Sequence, residues 1–340
     1  MNATLAALQP VLPVSAMRMP PKVRSAEDLR SALRASHRIG TPDLSQLDRV
    51  LRLDASNGRI EIQAGVRWEV LSAYLYARSM PCAAGLGPTA LQAGLPATLV
   101  ECVDCNPASP DGTPFSTLIQ ALAVVTADGE LRRTSRSVQH ELFRAVIGGH
   151  GMIGAVYSVT LRIEALLQAF LHAQPAVLLD SGPAAAGQAA IMLRLMVPPA
   201  RLEGFLAELR QAFEDFRLPI GCLSVRRALP ENETLLRWAT DELALIEVSF
   251  EDRGTLPSRV AATQVLRNLI AAAIAHGGRF DLATGLDASR DQVEAAYPAF
   301  SAFLAEKRRY DPQERLHGAW YQHYRGLFRR EPCEVRWTPA

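Results

Sequence analysis

Residues 118–163 read LIQALAVVTADGELRRTSRSVQHELFRAVIGGHGMIGAVYSVTLRI. The run 121–126 has strand composition, and Asp128-Gly129 is a hairpin-turn signal before a second short strand. A short helix over 139–146 follows, then a glycine-rich loop, then a β-branched strand over 155–163. Gly148, Gly149, Gly151 and Gly154 crowd that loop. Glycines between a helix and a strand permit positive φ and the close approach of another group to the backbone. The segment therefore predicts the edge of a binding site on an antiparallel sheet.

Working outward on the N-terminal side, Ser25 is a helix N-cap with Asp28 at the third position, and Leu29 and Leu33 form one apolar face. Strands are expected over 50–54 and 59–63, joined at Asn57-Gly58, and an amphipathic helix over 68–78. Residues 81–114 are rich in Pro, Gly and Ala without a sustained period, so they read as a long loop with at most a short strand at 98–103. On the C-terminal side, strands are expected over 191–197, 222–226, 243–250 and near 279–283. Helices lie between them, one starting at Pro199 and one opened by Ser258. The order β-α-β-β-α-β predicts an antiparallel sheet with two helices on one face. A last helix spans 290–310 and stops at Asp311-Pro312.

The chain of 340 residues is long enough for two domains and a large core. A net charge of +1 gives no global basic field, which argues against a nucleic-acid partner. No apolar run has the length of a membrane span, and the start of the chain lacks the basic region of a signal peptide. Five cysteines do not make a disulfide scaffold in a chain of this size, and the expected compartment is the cytoplasm. Cys102-Val103-Asp104-Cys105 is a lone C-x-x-C. It has no second pair for zinc, and Asn106-Pro107 follow where a redox dithiol wants a helix, so simple packing is the expected role and no metal is expected.

The 118–163 segment, together with VLRLDASNGRIEIQAGVRWEVLSAYL at 50–75 and QVEAAYPAFSAFLAEKRRYDPQERL at 292–316, resembles the FAD-linked oxidases of the vanillyl-alcohol oxidase or PCMH type. Within that family it is most similar to the branch of alditol and aldonolactone oxidases and decaprenylphosphoryl-ribose oxidase. The resemblance implies an α+β fold: a PCMH-type FAD-binding domain of two α+β subdomains, plus an antiparallel-sheet cap domain with two helices. The implied division is an N-terminal arm over 1–22, the FAD-binding domain over 23–165, the cap over 166–288, and a C-terminal helix and tail over 289–340 that return to the FAD domain. It implies FAD as cofactor, with Gly149, Gly151, Gly154, Ala155 and Val156 as contacts.

The resemblance also exposes departures. Family members carry a glycine-rich phosphate loop after the first helix, whereas here residues 36–40 run directly into 41–45, with only Gly40 between. A second phosphate segment ends in paired glycines, whereas residues 92–98 carry Pro96 and Ala97 in their place; proline removes a donor. Asp104 or Cys105 stands where an attachment histidine often lies, which implies non-covalent flavin. Asp281 and Thr284 replace a tyrosine and a lysine, and threonine supplies no charge to stabilise a developing anion. Asp281 and Lys307 remain as catalytic candidates, against readings as a strand-end aspartate and a solvated surface lysine.

Two functions follow. One is an FAD-dependent oxidoreductase taking hydride from a CH–OH centre of a small hydroxylated or sugar-like substrate. The other is a degenerate, non-catalytic member with weakened FAD binding that serves as a binding or partner subunit. A thiol or metal protein built on Cys102 and Cys105 is the third and weakest reading.

Overall fold

The computed structural model describes residues 22–35, 42–181, 190–251 and 254–328. The arm at 1–21, the 36–41 segment with Gly40, and Cys333 lie outside the described residues. Helix α1 (Ala26–Ala35) starts where Ser25 Oγ accepts the Asp28 N–H, and it buries Leu29 and Leu33. Strands β1 (Val50–Asp54) and β2 (Arg59–Gln63) form a hairpin whose four-residue connection is stiffened by Asp54, which accepts the Asn57 N–H. Helix α2 (Trp68–Tyr76) follows.

The 81–114 stretch is not the long loop its composition predicts. It contains a 3-10 turn at Pro81–Gly85, helix α3 (Leu86–Gln92) and helix α4 (Leu99–Cys105). Where a short strand is expected at 98–103, Thr98 and Glu101 form a reciprocal capping box that starts α4. The helix stops after seven residues because Asn106 takes a left-handed conformation, with φ of 45°.

Strands β3 (Ile119–Thr126) and β4 (Leu131–Ser135), helix α5 (His140–Val146) and strand β5 (Gly154–Arg162) follow the pattern of the 118–163 segment. The first sheet has the order β1-β2-β5-β3-β4, all antiparallel. Helix α6 (Ile163–Leu171), unanticipated in the sequence, packs onto this first layer, and the rings of Phe170 and Trp68 lie 5.1 Å apart.

A second sheet is built from β6 (Val177–Ser181), β7 (Ala190–Val197), β8 (Ile220–Ala228), β9 (Leu243–Glu251) and the two-residue β10 (Arg279–Phe280), after helices α7 (Leu202–Asp215) and α8 (Leu256–Ala275) are threaded between them. Its order is β10-β7-β9-β8-β6, also antiparallel. The edge strand β6 was not anticipated. Thr255, rather than Ser258, caps α8 by accepting the Ser258 N–H.

Strand alternation gives the second sheet two unlike faces. Leu193, Leu195 and Val197 register against Val248, Ile246 and Ala244 and are buried. Phe250 belongs to the same face and meets Phe213 of α7 edge-on, with centroids 5.2 Å apart. Burying each such side chain stabilises the layer by roughly 1.5–3 kcal/mol. The opposite face carries Arg194 registered with Glu247, and Met196 with Leu245, which in turn pairs with Arg226.

The expected final helix is split into α9 (Arg290–Ala296) and α10 (Phe300–Tyr310) around Tyr297-Pro298, since proline cannot continue the hydrogen-bond ladder. Helix α11 (Ala319–Leu327) follows. Arg315 ties this region back to the first layer by donating to the Leu33 carbonyl at 3.1 Å and to the Ala127 carbonyl. Lys307 is not a solvated surface lysine. It is fully buried on α10 and paired with Asp311 at 2.5 Å, one helical turn on.

Candidate active site

A cavity partly open to solvent lies where the end of α4 and the 148–150 loop meet the polar face of the second sheet. Its first wall is residues 105–108. Asn106 is fully buried. Its Oδ1 accepts the Ser116 N–H at 2.7 Å, and its carbonyl accepts the indole N–H of Trp238 at 2.9 Å. Its Nδ2 has no partner. Cys105 lines the same wall as a free thiol, and burial pushes its pKa up to about 12. Cys102 and Cys105 both sit on α4 as free thiols, and no group of metal-ligating side chains occurs among the described residues.

The glycine loop is strapped to the end of α4. Gly148 donates its N–H to the Val103 carbonyl at 2.9 Å, and His150 to the Asp104 carbonyl at 3.0 Å. Gly148 and His150 line the cavity. The His150 ring stacks on Trp320 at 4.7 Å, and desolvation lowers its pKa, which favours the neutral imidazole. Asp104, between the two cysteines, has its carboxyl pushed up to about 7 by burial, with the Glu101 charge adding to the effect.

The five residues expected to touch a cofactor fall elsewhere. Gly149, Gly151, Gly154, Ala155 and Val156 are not among the cavity-lining residues. Gly149 has a packing reason to be glycine, since a Cβ would lie 2.3 Å from the Ala145 carbonyl oxygen. At Gly154 a Cβ would lie 2.7 Å from the Val124 side chain. Ala155 and Val156 are buried in β5, in register with Val125 and Val124 of β3. Gly151 adopts a φ of +70° in the turn before Met152.

The opposite wall is the polar face of the second sheet. Arg194 Nε bonds Glu247 Oε1 at 2.7 Å, and its Nη1 lies 3.5 Å from Asp281 Oδ2. Asp281 lines the cavity, and its Oδ1 accepts the Ala283 N–H at 2.8 Å. Thr284 faces away from any charge-stabilising role, since its hydroxyl accepts the Arg194 N–H at 3.1 Å. Arg226, Met196, Leu245 and Trp238 complete this wall, with Tyr297 beside them. Lys307 does not line it. Of the two catalytic candidates, only Asp281 thus reaches the cavity.

Asn106, Arg194, Arg226 and Trp238 were missed in the sequence. A signal existed for the arginines. In IMLRLMV and CLSVRRA a charged residue interrupts an apolar strand at an alternating position, the pattern of a polar inner face.

Comparison with known families finds one correspondence that bears on this geometry. Residues 40–135 match the model of the FAD binding domain family. The match runs from before β1 to the end of β4 and includes α4 and the cavity wall at 105–108. No curated protein matches the chain.

Proposed function

We propose that the chain is an FAD-dependent oxidoreductase acting on a CH–OH centre of a small hydroxylated substrate bound in this cavity. The observation that carries the reading is that the FAD-domain match includes the 105–108 wall, and this wall closes against a charged sheet face. In this reading residues 23–165 form the cofactor domain and 166–288 the cap that supplies the substrate wall.

The residues present fit one end of the cofactor. The unpartnered Asn106 Nδ2 is a buried donor suited to a ring carbonyl, and Gly148 leaves the wall without a side chain. In the 94–102 stretch most backbone donors are already engaged. The N–H groups of Gly94, Leu95, Leu99, Val100 and Cys102 go to backbone carbonyls, and those of Thr98 and Glu101 to each other's side chains. The 148–156 segment, with Gly149, Gly151, Gly154, Ala155 and Val156, remains our proposal for a further contact. Attachment is non-covalent in this reading, because a thiol with a pKa near 12 carries almost no thiolate at neutral pH.

Bound FAD supplies the hydride acceptor. Asp281 takes the proton of the substrate hydroxyl as the carbonyl forms, and Arg194, with Nη1 3.5 Å from Asp281 Oδ2, orients its carboxylate. The Tyr297 hydroxyl donates to the Phe280 carbonyl and fixes the backbone entering Asp281. The reading is tested by mixing FAD-loaded protein anaerobically with a panel of alditols, lactones and hydroxy acids. Loss of the oxidised-flavin absorption with at least one of them, and its slowing by about a hundredfold or more in Asp281→Asn, is the expected result. A flavin that no member of the panel reduces contradicts it.

A further inference from the structure

Arg226 stands out among the charged groups of the cavity because its side chain makes no hydrogen bond or ion pair among the described residues. Only 7% of the residue is exposed. Its Nε is shielded from solvent and accepted by nothing, and no ion pair reaches it among the described residues. Burial disfavours its charge and the nearby Glu247 offsets this only in part, so a buried guanidinium without a hydrogen-bond acceptor calls for a ligand. The neighbouring acids are already engaged. Arg194 holds Glu247 through Oε1 and faces Asp281, and Glu247 Oε2 points towards Gly94, 3.6 Å from where a Cβ there would lie.

The sheet register describes what surrounds this cation. Ser224, Glu247 and Arg194 form one cross-strand row, and Arg226, Leu245 and Met196 form the next. Arg226 is thus a single guanidinium at the end of an apolar row, and all three members of the row line the cavity. The second orphan, Asn106 Nδ2, is on the facing wall and is also a donor. With Asn106 Nδ2 given to the cofactor, the guanidinium without an acceptor selects a ligand that brings acceptors. One guanidinium matches a planar, singly charged carboxylate in bidentate geometry. Glu247 and Asp281 on the same face oppose a dianion such as phosphate.

We propose that the cavity selects a small hydroxylated carboxylate, whose carboxylate sits on Arg226 and whose short apolar body lies along Met196 and Leu245. The proposal rests on the reading of the cavity as the substrate site of an oxidoreductase and specifies its substrate class.

Calorimetric titration of the full-length protein, as purified and after loading with FAD, tests it with three probes: lactate, its neutral amide lactamide, and inorganic phosphate. Lactate is expected to bind, with lactamide at least about 30-fold weaker, Arg226→Met losing lactate by a similar factor, and Arg226→Lys falling between. Unliganded Arg226→Met is expected to melt at or above the wild-type temperature, because an apolar residue replaces a buried guanidinium that has no hydrogen-bond acceptor. The proposal is overturned if lactate does not bind, if lactate and lactamide bind alike, if phosphate binds more tightly than lactate, or if Arg226→Met retains lactate affinity. Discrimination by a protein that takes up no FAD supports the carboxylate site while defeating the flavoenzyme reading. FAD uptake without discrimination does the reverse.

Discussion

The carbonyl of Asn106 accepts the indole N–H of Trp238 at 2.9 Å, which ties the end of α4 to the segment leading into β9. The bond crosses from the first layer to the second at the rim of the cavity. It explains why α4 ends in a left-handed residue there: that conformation turns the Asn106 carbonyl towards Trp238 while its Oδ1 takes the Ser116 N–H. Trp238→Phe keeps most of the buried ring but leaves a buried carbonyl unpaired. We expect a loss of about 1–3 kcal/mol in urea unfolding, together with weaker ligand binding. Unchanged stability contradicts the role given to this bond.

The buried pair Lys307–Asp311 makes a different prediction. Both side chains are fully shielded, and Asp311 also accepts the Leu316 N–H at 2.7 Å. Removing only the lysine leaves a carboxylate buried without its cation. Lys307→Met is expected to destabilise the protein by about 3–5 kcal/mol, and Lys307→Met combined with Asp311→Leu to recover part of that loss. Thermal melts of the two variants decide it. If Lys307 were a solvated lysine, the single change would have almost no effect.

Asp104 gives a pH dependence. Its carboxyl is raised to about 7 in the folded protein from 3.8 in a free chain, mainly by burial. Between these values the folded state holds a proton that the unfolded state has released, so this group's contribution to stability falls as pH rises through the window. The full shift corresponds to roughly 4 kcal/mol, and partial access to solvent reduces it to about 2 kcal/mol. Asp104→Asn should gain stability relative to wild type as pH rises from about 4 to about 7, and the difference should level off above. Melting curves across that range check this, and a difference that does not grow with pH contradicts it.

Gly149 and Gly154 each have a packing reason to be glycine, besides the cofactor contact proposed for them. A Cβ would strike the Ala145 carbonyl at one and the Val124 side chain at the other. Gly149→Ala and Gly154→Ala should each cost about 1–3 kcal/mol in the protein without flavin. Variants as stable as wild type contradict the packing role, and weakened FAD uptake by the folded variants supports the proposed contact.

The sheets were the most legible part of the chain. Alternating, β-branched runs bounded by Asn57-Gly58 and Asp128-Gly129 marked the strands of the first layer, and the 121–163 pattern held residue by residue to within a position or two at the ends. Short helices were harder. Gly85, Gly87 and Pro88 hid α3, and Pro96 and Pro107 on either side hid α4, although the Thr98–Glu101 capping box was present to be read. Pro298 divided what looked like one helix. The burial of Lys307 depends on the packing of the C-terminal helices, which no local pattern reports. The site was half legible. Asp281 was reached through the family resemblance, as the residue standing where relatives carry a tyrosine, but the presence of Asn106 and Arg226 on one cavity arises from elements distant in the sequence.

The central claim is that the cavity between the two layers belongs to a flavoprotein. The most direct measurement is the absorption spectrum of the purified full-length protein, before and after incubation with FAD and removal of the unbound excess. The account predicts flavin bands at about one FAD per chain, released intact on denaturation because no covalent bond holds it. A protein that shows no flavin bands and retains none after incubation contradicts it.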